Sequence, residues 1–341
     1  MITYEHKIDK FFYYWLIFTF FLVLFMIVVG GLTRLTNSGL SITEWELLTG
    51  VLPPLNQEDW TKYFSLYKKI PQYELINKNM TLGEFKIIFY WEYFHRFLGR
   101  VIGLFVLVPL IFFAINKKIN NKYLFYSYLV FFLVLLQGLV GWYMVKSGLV
   151  NNITVSHYRL AIHLTLAFFI ISIIFWTFLN YKKNTKFNFF INKKINYIFY
   201  FLFFLLILQV VFGAFVSGLD AGKLYQTWPL MNYTYFPEDV YIKSITDLLN
   251  FDNHALVQFY HRNLAYLISF FILITGFVIY KKKITKLFKS YYLVFILLIL
   301  QIVLGILTLI SGLNIYLALA HQLFSLLLSL SLINLYYSYI N

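Results

Sequence analysis

Four histidines occupy matching places in two copies of one sequence pattern. The segment Glu92–Arg96 recurs as Gln258–Arg262, and Ala161–His163 is matched by Leu319–His321. The four histidines of these segments are His95, His163, His261 and His321. They lie in or at the ends of long apolar stretches, where an ionisable residue either marks a functional site or forms a hydrogen bond between helices. Their recurrence in both copies favours a shared functional role.

Paired imidazoles suggest a particular kind of metal site. Two histidines on facing helices of a four-helix bundle suit the axial positions of a haem iron, whereas a bare metal ion would need carboxylates or further ligands alongside. We therefore predict two bis-histidine haem sites, one from His95 and His163 and one from His261 and His321. The remaining histidines, His6, His157 and His254, have no repeat partners, and we interpret them as interfacial.

The two copies differ at one position that could matter for catalysis. Glu92 precedes His95 by three residues and so shares its helix face, but the second copy has Gln258 at this place. A carboxylate beside one site and a neutral amide beside the other predict that the first site does proton chemistry and the second only carries electrons. The alternative is that Glu92 is a helix-start residue favoured by the helix dipole.

Arginine is used sparingly and in a restricted place. Only five of the 28 basic Lys and Arg side chains are arginine, and all five lie at or beyond the predicted outer ends of spans: Arg34, Arg96, Arg100, Arg159 and Arg262. The planar guanidinium binds carboxylates in a forked geometry, so we predict that the last four bind haem propionates. Arg34 is also compatible with an interaction with lipid headgroups.

The composition indicates how these residues are positioned. The chain has 61% hydrophobic and 12% charged residues, which excludes a soluble globular protein. Mean hydropathy is +0.73. Eight membrane spans of sufficient length are predicted, at about 12–33, 91–115, 123–145, 157–179, 196–217, 255–280, 290–310 and 315–337. The fold class is all-α integral membrane protein, and the first apolar run, Phe11–Leu32, is too long for a signal peptide. The chain has no cysteine, which excludes disulfides and thiolate ligands.

The charged residues predict the topology. Three short linkers contain lysine but no acid. The first contains Lys117, Lys118 and Lys122, the second Lys182, Lys183, Lys186, Lys193 and Lys194, and the third Lys281, Lys282, Lys283, Lys286 and Lys289. Most acids, such as Glu44, Glu46 and Asp239, lie in the long loops 34–90 and 218–254. The positive-inside rule then places both termini in the cytoplasm and the two long loops outside, where we expect ordered caps. Lysine between spans also explains the net charge of +14, which argues against a nucleic-acid partner.

The repeat extends beyond the histidines. Gln137–Gly141 matches Gln301–Gly305, Ser147–Leu149 matches Ser311–Leu313, and Gly31 and Gly39 correspond loosely to Gly213 and Gly222. Each copy contains an even number of spans, so the copies are parallel repeats. We predict two four-helix bundles, an N-terminal half 1–180 and a C-terminal half 181–341.

Three stretches of the chain resemble one family. Gly30–Ser41 reads GGLTRLTNSGLS and is followed by Trp45, the Glu92…His95-Arg96 motif comes next, and Leu219–Met231 contains LDAG and YQTWPLM. With the four histidines, these segments are similar to haem A synthase of the mitochondrial and alphaproteobacterial branch, over essentially the whole chain. The lack of cysteine agrees with that branch.

The resemblance implies an activity and a division of labour. Members of this family oxidise the C8 methyl group of haem O to the formyl group of haem A for terminal oxidases, with water as the oxygen source. It implies that His261 and His321 are axial ligands of a haem b cofactor and that His95 and His163 bind the substrate haem. Glu92 is then the essential carboxylate, which takes a proton or steadies a developing cation.

The implied setting is the bacterial inner membrane, with the haem sites toward the periplasm. The implied partners are the lipid bilayer, haem O synthase and oxidase assembly factors, and the sequence leaves a homo-oligomer open. Two other functions remain open: a di-haem b electron carrier that leaves haem unmodified, and a haem chaperone or exporter. The electron carrier fits two symmetric sites, but it gives no reason for Glu92 to differ from Gln258.

Overall fold

The computed structural model describes residues 9–45, 49–149, 153–183, 189–190 and 196–341. Residues His6, Glu46, Lys186, Lys193 and Lys194 of the analysis above lie outside these ranges. The described residues are almost entirely helical and form no β-strand beyond one isolated bridge between Met231 and Thr234. The helices are α1 Lys10–Leu35, α2 Gln57–Tyr67, α3 Pro71–Leu75, α4 Leu82–Asn116, α5 Asn121–Gly148, α6 His157–Lys183, α7 Asn196–Gly218, α8 Ile245–Leu248, α9 His254–Lys281, α10 Phe288–Ile310 and α11 Ile315–Ile340.

Eight of the helices in the described residues are long and apolar enough to cross a membrane, namely α1, α4, α5, α6, α7, α9, α10 and α11. This confirms the predicted class of multi-pass helical membrane protein. Their starts are set by side chains that accept the unpaired backbone N–H groups of the first turn. These caps are Asp9, Thr81, Asn120, Asn253 and Asn314.

The second span begins earlier than the apolar pattern predicts. Helix α4 starts at Leu82 and not near residue 91, because Thr81 and Glu84 form a capping box in which each side chain bonds to the backbone of the other. The first two and a half turns of α4, residues 82–90, include polar residues and precede the continuous apolar stretch from which the span was predicted. As a result, Glu92 is ten residues from the start of the helix, and its interpretation as a helix-start residue is wrong.

The chain divides into two compact units, Met1–Asn184 and Thr185–Asn341. In the first unit α1 packs against α4 and α6, α4 packs against α5, and α5 packs against α6, so the four helices form a closed ring. Aromatic rings fill the end of this bundle that contains the start of α1. Phe12 lies 4.8 Å from Tyr181 and 5.2 Å from Phe113, measured between ring centroids.

A small helical cap covers the other end of the first bundle. Buried Trp60, Phe64 and Tyr67 of α2 pack with Phe85 and Phe89, which belong to the early turns of α4. The Tyr67 hydroxyl donates to Gln72 Oε1 at 3.0 Å and accepts from Asn77 Nδ2 at 2.8 Å. The segment 34–90 therefore contains an ordered cap, as the sequence predicts.

In the second unit α7 packs against α9, α9 against α10, and α10 against α11. Helices α7 and α11 meet through aromatic side chains, with Phe199 stacked on Tyr339 at 5.5 Å and against Tyr336 at 5.2 Å. The loop before α9 is shorter than its counterpart and contains the 3-10 turn Ala221–Lys223 and the single turn α8. Buried Tyr225 and Met231 pack on Ala255 there.

Candidate functional site

Each of the four repeat histidines packs against a glycine on a neighbouring helix. A Cβ atom built on Gly30, Gly141, Gly213 or Gly305 would lie 3.2, 3.2, 3.2 and 2.8 Å from the rings of His95, His163, His261 and His321, respectively. Such distances are shorter than ordinary van der Waals contact, so these positions need glycine for close approach and not for backbone flexibility. The pattern is the same in both units, which indicates that the histidine rings are held in equivalent positions.

This arrangement corrects one detail of the repeat. The repeat matched Gly31 loosely with Gly213. The glycine that faces His95 is Gly30, however, and Gly31 is buried on a different side of α1. Two adjacent glycines cannot be told apart by pattern alone. The helix rotation that places one of them against the ring decides between them.

The second unit brings His261 of α9 and His321 of α11 together. Their ring centroids are 6.4 Å apart, and the ring planes are inclined by 74°. Two imidazoles that bind one metal atom from opposite sides have ring centroids roughly 6 Å apart, given metal–nitrogen bonds of about 2 Å. In the described parts of the chain no group of three or more His, Asp or Glu side chains could hold a metal ion. The pair therefore fits a metal whose other ligands come from a macrocycle, as in haem.

In the first unit His95 of α4 and His163 of α6 occupy the matching places, each against its glycine. His163 is six residues into its helix, and His321 is six residues into α11. His95 is thirteen residues into α4, because α4 extends into the cap. Of the unpaired histidines, His254 is exposed at the start of α9, and His157 is buried at the start of α6.

Glu92 is buried, with 2% of its surface exposed, and its carboxylate is fully hydrogen-bonded. Oε1 accepts two bonds from Arg96, from Nε at 3.1 Å and Nη2 at 2.6 Å. Oε2 accepts from Ser41 Oγ at 2.7 Å and from the backbone N–H of Ile42 at 2.8 Å. A carboxylate has about four lone-pair sites, so each one has a partner. Glu92 and Arg96 thus hold the segment that follows α1 onto α4.

Gln258 makes the equivalent contact with the opposite polarity. Its Nε2 donates to the backbone carbonyl of Tyr225 at 2.9 Å, and Arg262 Nη2 donates to the same oxygen at 3.0 Å. The segment after α1 therefore offers a serine hydroxyl and a backbone N–H to Glu92, whereas the segment after α7 offers a backbone carbonyl to Gln258. This local difference accounts for a carboxylate in one unit and an amide in the other. Gln258 alone is therefore not evidence that an amide would suit the first site.

The arginines predicted to bind propionates lie near the histidines and contact backbone carbonyls. Arg96 Nη2 donates to Ile42 O at 2.9 Å, Arg262 Nη1 to Leu230 O at 3.3 Å, and Arg159 Nη1 to Tyr143 O at 2.6 Å. Arg159 also stacks on the Tyr143 ring, 3.8 Å from its centroid. Arg100 is partly buried one turn after Arg96. The propionate role of these residues stays a prediction.

Sequence reasoning missed two groups of residues near the histidines. Ser41 ends the quoted motif Gly30–Ser41 and Ile42 follows it, but neither was connected to Glu92. Gln209 was not singled out, although it is the only amide in the apolar helix α7 after its first residue and contacts His261. A polar residue within a membrane span is a usable signal, and it could have found Gln209.

The fold and these sites define a class: a polytopic helical membrane protein with two histidines at matching places in each of two similar bundles. Residues 13–333 match the model of one family, described as cytochrome oxidase assembly protein. The chain belongs to this family.

Curated relatives agree over nearly the full length. The chain is 52% identical over 313 residues to "Heme A synthase" of Pelagibacter ubique, with 92% of each chain covered. It is 41% identical to the protein of that name from Wolbachia pipientis wMel, covering 92% of this chain and 88% of the relative. A Flavobacterium psychrophilum protein of the same name is 38% identical, covering 90% and 92%. The alphaproteobacterial relatives confirm the resemblance inferred from the motifs.

Proposed function

We propose that this protein is a haem A synthase, which converts the C8 methyl group of haem O into a formyl group in the bacterial inner membrane. The proposal is supported by the His261–His321 pair, by the matching places of His95 and His163 in the first unit, and by relatives up to 52% identical that bear this name. Two similar sites are needed if one holds the substrate and the other holds a redox cofactor. The first unit is the substrate site, because it alone combines its histidines with a buried carboxylate.

The substrate site consists of His95, His163 and the Glu92–Arg96 ion pair. The histidines orient haem O through its iron, so that the methyl group is presented at a fixed place in the bundle. Conversion of a methyl to a formyl group with water as oxygen source removes two electron pairs and their protons. A buried ion pair near the reacting group can stabilise positive charge that develops there, because fixed charges act strongly where water is excluded.

The contacts of Glu92 restrict how it could act as a base. Both oxygens already accept two hydrogen bonds each, so proton uptake requires that Ser41, Ile42 or Arg96 give up a bond. Stabilisation of a developing cation and placement of the Ser41–Ile42 segment need no such change. We therefore favour these two roles over that of a resting general base.

The second unit binds haem b through His261 and His321. Haem b, when bound, supplies one-electron redox chemistry. The residues of the second unit then have only to hold and orient the group, which agrees with a neutral Gln258 in place of a carboxylate. We also propose that both termini are cytoplasmic, that the haem sites face the periplasm, and that haem O synthase and oxidase assembly factors are partners.

Haem extraction tests the enzyme proposal directly. The chain would be expressed in a host that makes haem O but no haem A. The extracted haems would then be separated by chromatography and identified by mass spectrometry. We expect haem A, with haem b retained in the purified protein. Recovery of haem O unchanged, from protein that carries haem at both sites, would favour the di-haem electron carrier instead.

Substitution of the two histidines that would hold haem b tests the cofactor assignment. His261→Ala and His321→Ala are each expected to abolish the low-spin haem b spectrum, because each removes one ligand. His254→Ala is the matched control, since this histidine is exposed at the start of α9, and it should keep the spectrum. Full retention in both ligand variants would contradict the assignment.

A further inference from the structure

Two helices of the second unit each have a stripe of exposed apolar side chains along their length. The stripe of α7 contains Tyr197, Phe201 and Phe204, and that of α9 contains Phe270, Leu273 and Phe277. Both helices are long and apolar enough to cross a membrane, so these exposed side chains face the acyl chains of the lipids. The two stripes therefore mark the lipid side of each helix.

At the end of the bundle where α9 begins, each stripe continues with a phenylalanine that the loop before α9 covers. Phe215 lies 11, 14 and 18 residues after the members of the α7 stripe, and Phe259 lies 11, 14 and 18 residues before those of the α9 stripe. These separations are close to whole helical turns, so both residues are on the lipid side. Phe251 of the loop packs on Phe215 at 6.0 Å, and Phe236 packs on Phe259 at 5.1 Å, between ring centroids. The loop therefore extends over the lipid-facing surface of both helices.

The turn α8 is fixed to the same end of the bundle. The Leu248 carbonyl accepts a hydrogen bond from the Tyr260 hydroxyl of α9 at 2.8 Å, and the Phe251 ring also contacts Phe212 of α7 at 5.5 Å. Asp247 Oδ2 accepts a hydrogen bond from the backbone N–H of Ser244 at 2.9 Å, which holds the start of the turn. The place and conformation of α8 are therefore set by contacts within the second unit.

Three apolar side chains in and beside α8 form an exposed surface, here called the collar surface: Ile242, Ile245 and Leu249. Ile245 is 78% exposed and Leu249 is 62% exposed. Leu249 is two residues from Phe251, so the chain between them spans at most about 7 Å. Phe215, which Phe251 covers, is three residues, or about 5 Å, from the end of α7. The collar surface therefore lies beside the lipid-facing stripes, at the height where the membrane spans end.

We propose that the lipid headgroup layer at this end of the spans covers the collar surface, with Ile245 and Leu249 inserted at the boundary between headgroups and acyl chains. Interfacial segments with an apolar side lie about 5–10 Å into that boundary, which agrees with the short distance from the collar surface to the stripes. The same loop supplies the Tyr225 carbonyl that binds Gln258 and Arg262. Attachment to lipid therefore holds this loop in place from a second side. The inference does not depend on the haem chemistry.

The test places a fluorophore on the full-length protein in phosphatidylcholine nanodiscs. The chain has no cysteine, so Ile245→Cys and Leu249→Cys can each be labelled with a bimane at one position. Lipids with a nitroxide on the headgroup, near the top of the acyl chain or deep in the acyl chain quench labels at those depths, and iodide quenches labels in water. Glu238→Cys, exposed in the same loop, is the matched control for water. Phe270→Cys, in the α9 stripe, is the reference for the acyl chains.

For Ile245→Cys and Leu249→Cys, we expect the two shallow nitroxides to quench several-fold more than the deep one, and iodide to quench several-fold less than in Glu238→Cys. Phe270→Cys should show the opposite order of nitroxide depths. Iodide quenching of both labels as strong as in Glu238→Cys would mean that the collar surface faces water, and the proposal would be wrong. If neither the nitroxide lipids nor iodide quench the labels, a second copy of the chain or a partner protein covers the surface, and the lipid contact is refuted.

Discussion

At the scale of single residues, the polarity of the neighbouring backbone explains why the units differ at Glu92 and Gln258. The segment after α1 presents an N–H group and a hydroxyl to Glu92, whereas the segment after α7 presents a carbonyl to Gln258. Glu92 accepts hydrogen bonds, which suits a carboxylate, whereas Gln258 donates one, which requires an amide. The catalytic meaning of Glu92 therefore has to be measured separately from its structural one.

Glu92→Gln is expected to lower haem A formation by about 10²–10³-fold, the usual effect of removing one group that stabilises developing charge, with haem O accumulating in the membrane. The amide cannot accept four hydrogen bonds, and it removes the charge that pairs with Arg96. The measurement is the ratio of haem A to haem O in extracts. Glu84→Gln is the control, because this carboxylate lies on the same helix but is confined to the exposed cap of α4. Near wild-type haem A from Glu92→Gln would remove this residue from the mechanism.

Ser41→Ala distinguishes two roles of Glu92: holding the Ser41–Ile42 segment in place and supplying a negative charge. This variant removes one hydrogen bond to Oε2 and keeps the ion pair with Arg96. If placement dominates, activity falls mainly through a raised KM for haem O, because the Ser41–Ile42 segment is released. If the charge dominates, kcat and KM stay close to the wild-type values. A large fall of kcat in Ser41→Ala with an unchanged KM would contradict both roles.

The glycines that face the histidines permit a third prediction at this scale. Gly305→Ala places a Cβ atom 2.8 Å from His321 Cε1, so the ring must move and the low-spin haem b spectrum should weaken or disappear. Gly138→Ala is the control, because a Cβ atom there meets nothing within 4 Å. In a helix, that change should stabilise slightly, by up to about 1 kcal/mol. Equal spectra in both variants would show that the close approach is not needed.

At the scale of elements, the cap α2–α3 is fixed by a short polar network around Tyr67. The hydroxyl is buried, which raises the pKa of Tyr67, and it bonds to both Gln72 and Asn77. Gln72 Nε2 in turn donates to the Asn37 carbonyl at 3.2 Å, at the turn that ends α1. The cap is thereby connected to the segment that contains Ser41.

Tyr67→Phe is expected to loosen this cap locally by about 1–3 kcal/mol, because it leaves buried Gln72 without its donor. Amide hydrogen exchange of residues 68–80 should become faster, and the haem b spectrum of the second unit should not change. Tyr90→Phe, whose ring is 47% exposed on α4, is the control and should not alter exchange. Unchanged exchange in Tyr67→Phe would show that aromatic packing alone holds the cap.

At the scale of the whole molecule, the chain contains no cysteine, so single cysteines can report its topology. With both termini in the cytoplasm, the end of α6 is inside and the loop before α8 is outside. Tyr241→Cys, whose parent side chain is 81% exposed, should react with an impermeant maleimide added to intact cells. Lys183→Cys should react only after the membrane is opened. Labelling of Lys183→Cys from outside would contradict this orientation.

The sequence by itself determined the class of protein and the matching places of its four repeat histidines. Apolar runs of about 20 residues can only be membrane helices, because lipid offers no partner for an unpaired backbone group. The repeat identified His95, His163, His261 and His321 without any structure, since a duplicated pattern preserves the residues that do the same work. The start of α4 was missed because the capping box at Thr81 begins a helix that continues in polar surroundings before it becomes apolar.

Only the tertiary structure decided what each side chain contacts. The contacts of Glu92 with Ser41 and Ile42, and of Gln209 with His261, join residues that are 50 or more positions apart. The same is true of the choice of Gly30 over Gly31. Helix rotation and the course of the segment after α1 fix these contacts, and both depend on how whole helices pack. Local composition and spacing therefore identified the chemical groups, and the packing of the helices determined their partners.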